Sequence, residues 1–444
     1  MYNKILIANR GEIALRILRT CKKLKIKTVS VYSKIDKNLI HIRQSDEAIC
    51  IGNNNPKDSY LNIQNIISAA EITNSNAIHP GYGFLSEDSN FAEQVNNSGI
   101  NFIGPSANTI ELMGNKLKAI NLMKNNNIEC LPSYLCSNDE KQNIKLANKI
   151  GYPIILKLIN GGGGKGITIV NNDKYLNNSI YIIKKEASLS FKTNSIYMEK
   201  YIHNSRHIEI QILKDKKNNI VFLGERECSI QKNYQKIIEE TPVYGIDYNS
   251  LDIIKRKCAD VCMEINFFNT GTFEFLYKDK NFYFIEMNPR IQVEHTITEM
   301  VTNIDIIEKQ IIISYYNTLD IKQTDINING HAIECRINIE NTKKFIKDKC
   351  KIKVINKPDG PGVRFDSHIY NGYETPIYYD SLLGKLITHG KNRKEAIQKM
   401  TTSLNELIID NTDNNISLLK NILNNKNYIN NNIHINFIKE LNSP

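Results

Sequence analysis

No apolar run in this chain approaches the roughly 18 residues of a membrane-spanning helix, and the apolar opening of residues 5–8 is cut short by Arg10 and Glu12. No membrane association is expected. The first 25 residues are basic, as in a transit peptide, but strand, turn and helix patterning begins by Lys4, so no cleaved leader is expected either. Cys-x-x-Cys pairs are missing, and the nine scattered cysteines are odd in number, which argues against a disulfide framework and a structural zinc site. A reducing cytoplasm fits that usage. Cys258 and Cys262, one helical turn apart, suit a shared buried face better than a redox pair. Arginine-rich clusters and aromatic interleaving are also missing, so the net charge of +10 is not the footprint of a nucleic-acid binder. The chain is rich in Asn, Ile and Lys, whose codons are A/T-rich, and base composition is a simpler source of the basic drift. No internal repeat is present, and the Asn-rich stretch 424–432 reads as loop.

What is present is the composition of a globular protein, 41% apolar and 23% charged. At roughly 100–200 residues per domain, 444 residues predict two to four packed domains. From Lys4 to about Met113, short apolar runs alternate with helical stretches, the pattern of a parallel βαβ sheet. A small α+β unit is expected over about 132–201. Strands follow at 208–213, 272–277 and 282–287, then helices and further strands to Ile387.

Between apolar segments 151–157 and 167–170 lies Asn160 followed by four glycines, Lys165 and Gly166. The spacing Gly161-x-Gly163-x-x-Gly166 matches a dinucleotide fingerprint formally, but a strand pattern rather than a helix follows it. It also fails the P-loop pattern, since Gly166 stands where Ser or Thr is required. Consecutive glycines nonetheless let exposed N–H groups approach an anion closely, and Lys157 and Lys165 flank them. A phosphate cover is the reading adopted, over a merely flexible surface loop.

The most informative stretch runs from Glu274 to Glu294 and reads as a hairpin. With a loop at 279–281, Lys278 pairs with Phe282 and Glu274 falls opposite Glu286 on one face. Facing carboxylates repel unless a cation lies between them, and oxygen ligands favour a hard divalent ion, magnesium first. Pro289 is expected to end the strand, leaving Arg290, Gln292 and Glu294 on a loop entering a cleft. A solvated edge strand would show the same alternation, but two acids, an amide, a guanidinium and a further acid are too varied in role to prefer it.

Together, Glu274, Glu286, Asn288, Arg290, Lys157 and the glycine loop resemble the ATP-grasp enzymes, which join a carboxylate to a nucleophile through an acyl phosphate. Further motifs narrow the resemblance: IANRGEIA at 7–14, HPGYGFLSE at 79–87, YMEKY at 197–201, RHIEIQ at 206–211, RIQVEH at 290–295, HAIECR at 331–336 and YYDS at 378–381. In that order they resemble biotin carboxylase, subunit of acetyl-CoA carboxylase, over most of the chain. The resemblance implies a mixed α/β and α+β ATP-grasp architecture. Its parts would be an N-terminal parallel βαβ domain (1–112), a helical linker (113–131), a small mobile lid (132–201), and a core with a C-terminal mixed domain (202–444).

It also implies site residues. Lys116, Lys157, Gly163, Gly164, Glu199, Lys200, Tyr201, Ile202, His207, Gln231 and Tyr234 would surround ATP, with 199–202 meeting the adenine. Glu274, Glu286 and Asn288 would hold magnesium, or manganese in its place. Lys236, Arg290, Gln292 and Val293 would bind bicarbonate, Glu294 would be the base that removes its proton, and Arg336 would steady the biotin enolate. Lys236, Arg290, Glu294 and Arg336 are thus the catalytic set, Arg290 foremost. Asp380 either supports Arg336 or pairs structurally. His79 suits a core histidine ending a strand, and His207 without its motif would be an ordinary surface residue.

The chain departs from the family pattern in three places. Tyr234 stands where the family carries His, Asn160 shortens the glycine run by one, and 347–350 replaces a Pro-Ser-Pro-Gly turn. The expected reaction is ATP-dependent carboxylation of carrier-bound biotin, leading to malonyl-CoA and fatty acid biosynthesis. Service in a pyruvate or other acyl-CoA carboxylase, or as a non-catalytic scaffold, is the alternative. No Met-Lys-Met biotin acceptor is present, so biotin is expected on another chain. The implied partners are biotin carboxyl carrier protein, the carboxyltransferase subunits of acetyl-CoA carboxylase, and a second copy in a homodimer.

Overall fold

The computed structural model describes residues 1–159, 166–190, 195–340 and 350–441, with backbone alone for 186–190. Asn160, Gly163, Gly164, Lys165 and residues 347–349 therefore lie outside the described residues.

The first strand, Lys4–Ile7, is apolar at successive positions because both its faces are covered. Ile5 and Ile7 enter one core with Ile13 and Ile17, whereas Leu6 and Ala8 enter another with Val29 and Val31. This strand is the centre of a five-stranded parallel sheet ordered Glu47–Gly52, Lys27–Ser33, Lys4–Ile7, Ala77–His79, Asn101–Phe102. His79 ends its strand fully buried and accepts from the Gly81 N–H through Nδ1 at 3.1 Å.

A four-stranded antiparallel sheet follows, ordered Ser133–Leu135, Ile196–Lys200, Ile154–Leu158, Ile167–Val170. Its apolar side is covered by helices Glu140–Ile150 and Asp173–Ser190.

The largest layer is an eight-stranded antiparallel sheet, ordered Asn281–Asn288, Asn269–Lys278, Arg206–Lys214, Ile220–Lys232, Gln235–Thr241, His331–Asn338, Leu382–Gly390, Val363–Ser367. Its strands sort their side chains by the two-residue period. Ile208, Ile210 and Ile212 fill a core with Phe273 and Phe275, so His207, Glu209 and Gln211 lie on the opposite face with Thr272 and Glu274. The fold is thus α/β at the N-terminus and mixed α+β beyond it.

The hairpin differs from expectation in an informative way. Asp279 and Lys280 both have positive φ, +48° and +66°, the signature of a two-residue turn matched to strand twist. Lys278 therefore pairs with Asn281 rather than Phe282. A bulge at Ile285 then shifts the register, and Glu274 still falls opposite Glu286. Without it, Glu286 would share the core side with Phe282 and Phe284. As expected, the strand ends at Asn288, before Pro289.

The Asn-rich tail is not all loop. Helix Lys426–Ile429 forms within it, capped by the Asn425 side chain, because the fully buried Tyr428 anchors it and Arg393 bonds the carbonyls of Tyr428 and Ile429. Cys258 and Cys262 are buried on one face of helix Tyr248–Glu264. Among the described residues no helix is long and apolar enough to cross a membrane.

Candidate active site

A cavity of about 490 Å³ lies between the four-stranded sheet and the polar face of the eight-stranded one. Every site residue expected from the sequence borders it, apart from Gly163 and Gly164 outside the described residues. Its upper wall is Ile155, Lys157, Ile167 and Glu199, with Lys157 ion-paired to Glu199. Lys200 turns its ammonium to the carbonyls of Gly151 and Tyr152 at 2.8 and 3.2 Å, and the Tyr201 hydroxyl donates to Asn436 at 2.6 Å.

The floor is a charge cluster centred on Lys236. Its ammonium donates to Glu209, to Glu274 at 3.0 Å and to Glu294 at 2.8 Å. Burial alone would depress its pKa, but these acids hold it well above the ordinary range. His207 is not a surface residue, because the strand's polar face is roofed here. It is buried with Nε2 3.2 Å from Glu209 and 3.0 Å from Glu274. Burial lowers its pKa, yet the two acids push it up to about 9.

Glu274 Oε1 also accepts from Asn288 and Gln292, both at 2.6 Å, and Arg290 donates to the Asn288 side-chain oxygen at 2.8 Å. Glu286 lies 3.5 Å from Lys116. Burial raises Glu286, but Lys116, Lys236, Arg290 and Lys157 outweigh it and hold the carboxyl below its usual range. Glu294 sits at the N-cap of helix His295–Thr302. It is likewise raised by burial but more strongly lowered, chiefly by Lys236 and Arg336. Arg336 donates to Glu294 at 2.9 Å and to Glu239 at 2.6 Å. Asp380 borders the cavity but accepts instead from the Leu382 N–H at 3.0 Å. Arg336 is held by the two glutamates.

Three family profiles match in succession: "Biotin carboxylase, N-terminal domain" over 1–110, "Carbamoyl-phosphate synthase L chain, ATP binding domain" over 115–322, and "Biotin carboxylase C-terminal domain" over 334–440. The chain is 49% identical over 442 residues to the biotin carboxylase of Haemophilus influenzae, covering 99% of each. The chain belongs to the biotin carboxylase family. The biotin carboxylase β,γ-ATP complex from Campylobacter jejuni superposes with a TM-score of 0.94 at 42% identity, covering 99% of both chains. The biotin carboxylase domain dimer of Hydrogenobacter thermophilus 2-oxoglutarate carboxylase, with MgADP, ADP and bicarbonate, gives 0.96 at 40% identity over 99% of this chain and 98% of that one. As a biotin carboxylase, the chain is an ATP-dependent ligase with an ATP-grasp fold.

Two groups beneath the cavity are absent from the set expected by sequence. Arg226 is fully buried and donates to Glu209 at 3.1 Å, Gln211 at 2.7 Å and Thr298 at 3.1 Å, and it also bonds Gln292. It thereby ties Glu209 to the loop carrying Gln292. Glu209 does carry a sequence signal, since Glu209 and Gln211 alternate with isoleucines in an otherwise apolar strand. Arg226 carries none, because its partners, which include Thr272 at 3.2 Å, come from four separate segments. Tyr82 and Glu87 also approach, Tyr82 lining the cavity and Glu87 lying 3.3 Å from Arg290.

Proposed function

We propose that this chain carboxylates biotin held on a separate carrier protein, using bicarbonate and ATP, and supplies the first half-reaction of acetyl-CoA carboxylase. The observation that carries this reading is the convergence of Lys236, Arg290, Glu294 and Arg336 at one end of a cavity. The other end is bordered by Lys116, Lys157 and the 199–202 segment.

Bicarbonate is a poor nucleophile until it loses its proton. Glu294, kept ionised by Lys236, accepts that proton, while Lys236 and Arg290 hold the oxygens of the anion. The freed oxygen attacks the γ-phosphorus of ATP, the bond to ADP breaks, and carboxyphosphate forms. Lys116 and Lys157 offset charge on the transferring phosphoryl group. Carboxyphosphate then breaks into carbon dioxide and phosphate, a step that requires exclusion of water and that a lid over 132–201 provides. Arg336 faces the biotin ureido oxygen, where charge builds as the neighbouring nitrogen gives its proton to the phosphate released from carboxyphosphate and attacks carbon dioxide.

Glu274 and Glu286, directly opposite each other, and the Asn288 side-chain oxygen form an all-oxygen donor set on one face, which suits magnesium. When bound there, the ion would neutralise charge on the phosphate oxygens. Gln231 and Tyr234 border the nucleotide end with His207, so Tyr234 takes the place of the family's histidine in contacting nucleotide.

Biotin carboxyl carrier protein and the carboxyltransferase subunits are the partners of this reading, and a cytoplasmic homodimer its working form. The reading is tested by ADP release from purified protein, which must require bicarbonate and rise with free biotin. No response to biotin would sink it. Service in another carboxylase is a second reading, favoured by the likeness to a 2-oxoglutarate carboxylase domain. The biotinylated carrier that co-purifies decides between the two.

A further inference from the structure

Beside Arg336, and not among the residues that border the cavity, two more carboxyl groups are buried. Glu239 and Glu334 stand directly opposite each other on the paired strands Gln235–Thr241 and His331–Asn338. Neither has any exposed surface. Their shared face lies beneath helix His295–Thr302, whose Ile297 and Val301 pack on Ala332 and Ile387. One oxygen of each is bonded: Glu239 Oε1 accepts from Arg336, and Glu334 Oε2 accepts from the Thr296 hydroxyl. The other oxygen of each, Glu239 Oε2 and Glu334 Oε1, is buried with no partner among the described residues.

Two ionised carboxylates opposite each other in a sheet, each with an orphan oxygen, are an unfavourable arrangement in a dry interior. The surrounding charges do not remove the problem. Arg336 faces Glu239 but is shared with Glu294. Lys385, on the next strand, is committed to the Val293 carbonyl at 2.7 Å and to Glu12 at 3.2 Å. Lys236, on the strand of Glu239, is committed to Glu209, Glu274 and Glu294. His295, on the covering helix, has its Nδ1 at the Gln292 carbonyl and is kept neutral, first by burial and then by Lys385 and the nearby arginines.

We propose that Glu239 and Glu334 carry one negative charge between them and act as the positioning pair for Arg336. With one charge, the pair holds the guanidinium while leaving it free to bridge to Glu294 and the substrate. With two, the added charge draws Arg336 back from the cavity. Burial pushes Glu239 up to about 7 and Glu334 up to about 8, in keeping with a proton retained at neutral pH. The inference rests on the biotin-carboxylating reading of the site, in which Arg336 meets biotin while also bonding Glu294.

The test compares ADP release with and without free biotin across pH 6–10, in the full-length wild type and in Glu334→Gln. Wild-type biotin stimulation is expected to fall as pH rises through about 8. In Glu334→Gln the partner cannot gain the second charge, so the alkaline loss disappears and bicarbonate-dependent ADP release without biotin stays within about twofold of wild type. Glu239→Gln, which weakens the hold on Arg336, is expected to raise the KM for biotin about tenfold with a smaller change in kcat. If Glu334→Gln fails to fold, Thr296→Val removes the hydroxyl that favours charged Glu334, and the loss moves to higher pH. An alkaline loss that is unshifted in both variants overturns the inference, as does a parallel fall in biotin-free turnover. Absence of biotin stimulation in the wild type overturns instead the functional reading on which it rests.

Discussion

The ammonium of Lys236 lies 2.8 Å from Glu294 Oε1 and is simultaneously bonded to Glu209 and Glu274. One cation thus serves three buried acids that belong to three strands or loops. It keeps the base ionised and holds the acids in a single cluster. A lysine used this way has both structural and chemical consequences, and the two are separable.

Replacing Lys236 with Met leaves Glu209, Glu274 and Glu294 buried without their shared partner. Breaking such a group costs about 3–5 kcal/mol. Lys236 is the largest charge lowering Glu209 and Glu294 against their burial, so without it both carboxyls rise and the variant's deficit relative to wild type grows as pH rises. Chemical denaturation is expected to show a larger deficit at pH 8 than at pH 5, with biotin-dependent turnover lost at both.

Arg290 is half-committed, to the Asn288 oxygen at 2.8 Å and to Glu87 at 3.3 Å, and its loss leaves no fully buried acid unpaired. Arg290→Ala is expected to lower biotin-dependent kcat by about 100- to 1,000-fold, the scale for one preorganised donor at developing charge. The melting temperature is expected to stay within a few degrees of wild type, about 1 kcal/mol or less.

The bulge at Ile285 makes a sharper test of the metal set. Deleting Ile285 removes the extra residue, so Glu286 follows Phe284 directly, strict alternation keeps it opposite Glu274, and magnesium-dependent nucleotide binding is expected to survive. Glu286→Gln keeps the bulge and leaves the fold in place. It is expected to raise the magnesium concentration for half-maximal activity about tenfold, since one charged oxygen ligand is removed. Equal magnesium requirements in Glu286→Gln and wild type would remove Glu286 from the metal set.

Three buried histidines predict acid sensitivity. Burial holds His41 down to about 4, and His79 and His368 down to about 3, from an ordinary value of 6.5. Each therefore binds a proton more readily when the chain unfolds. Their contribution to stability is fully present above about 6.5 and is lost as pH falls toward those values. Thermal melts are expected to drop between pH 7 and pH 4.5, and His79→Gln is expected to lessen that slope.

The order of the motifs, the parallel start and the alternation around Glu274 are local properties, and residue type and spacing alone make them legible. A two-residue period along Ile208–Ile212 already sorts Glu209 from the core, and Pro289 already ends its strand. The hairpin shows where local reasoning stops. Glu274 faces Glu286 as expected, but through a two-residue turn and a compensating bulge, because which residue bulges depends on how Phe282, Phe284 and Met287 pack rather than on the polar residues themselves. The environment of a charge is likewise a sum over neighbours distant in sequence. Residue type and spacing determined which groups could serve this site. Only the packing of separate strands beneath one helix decided that Lys236 holds three acids, that Arg226 underlies them, and that Glu239 and Glu334 stand beside Arg336.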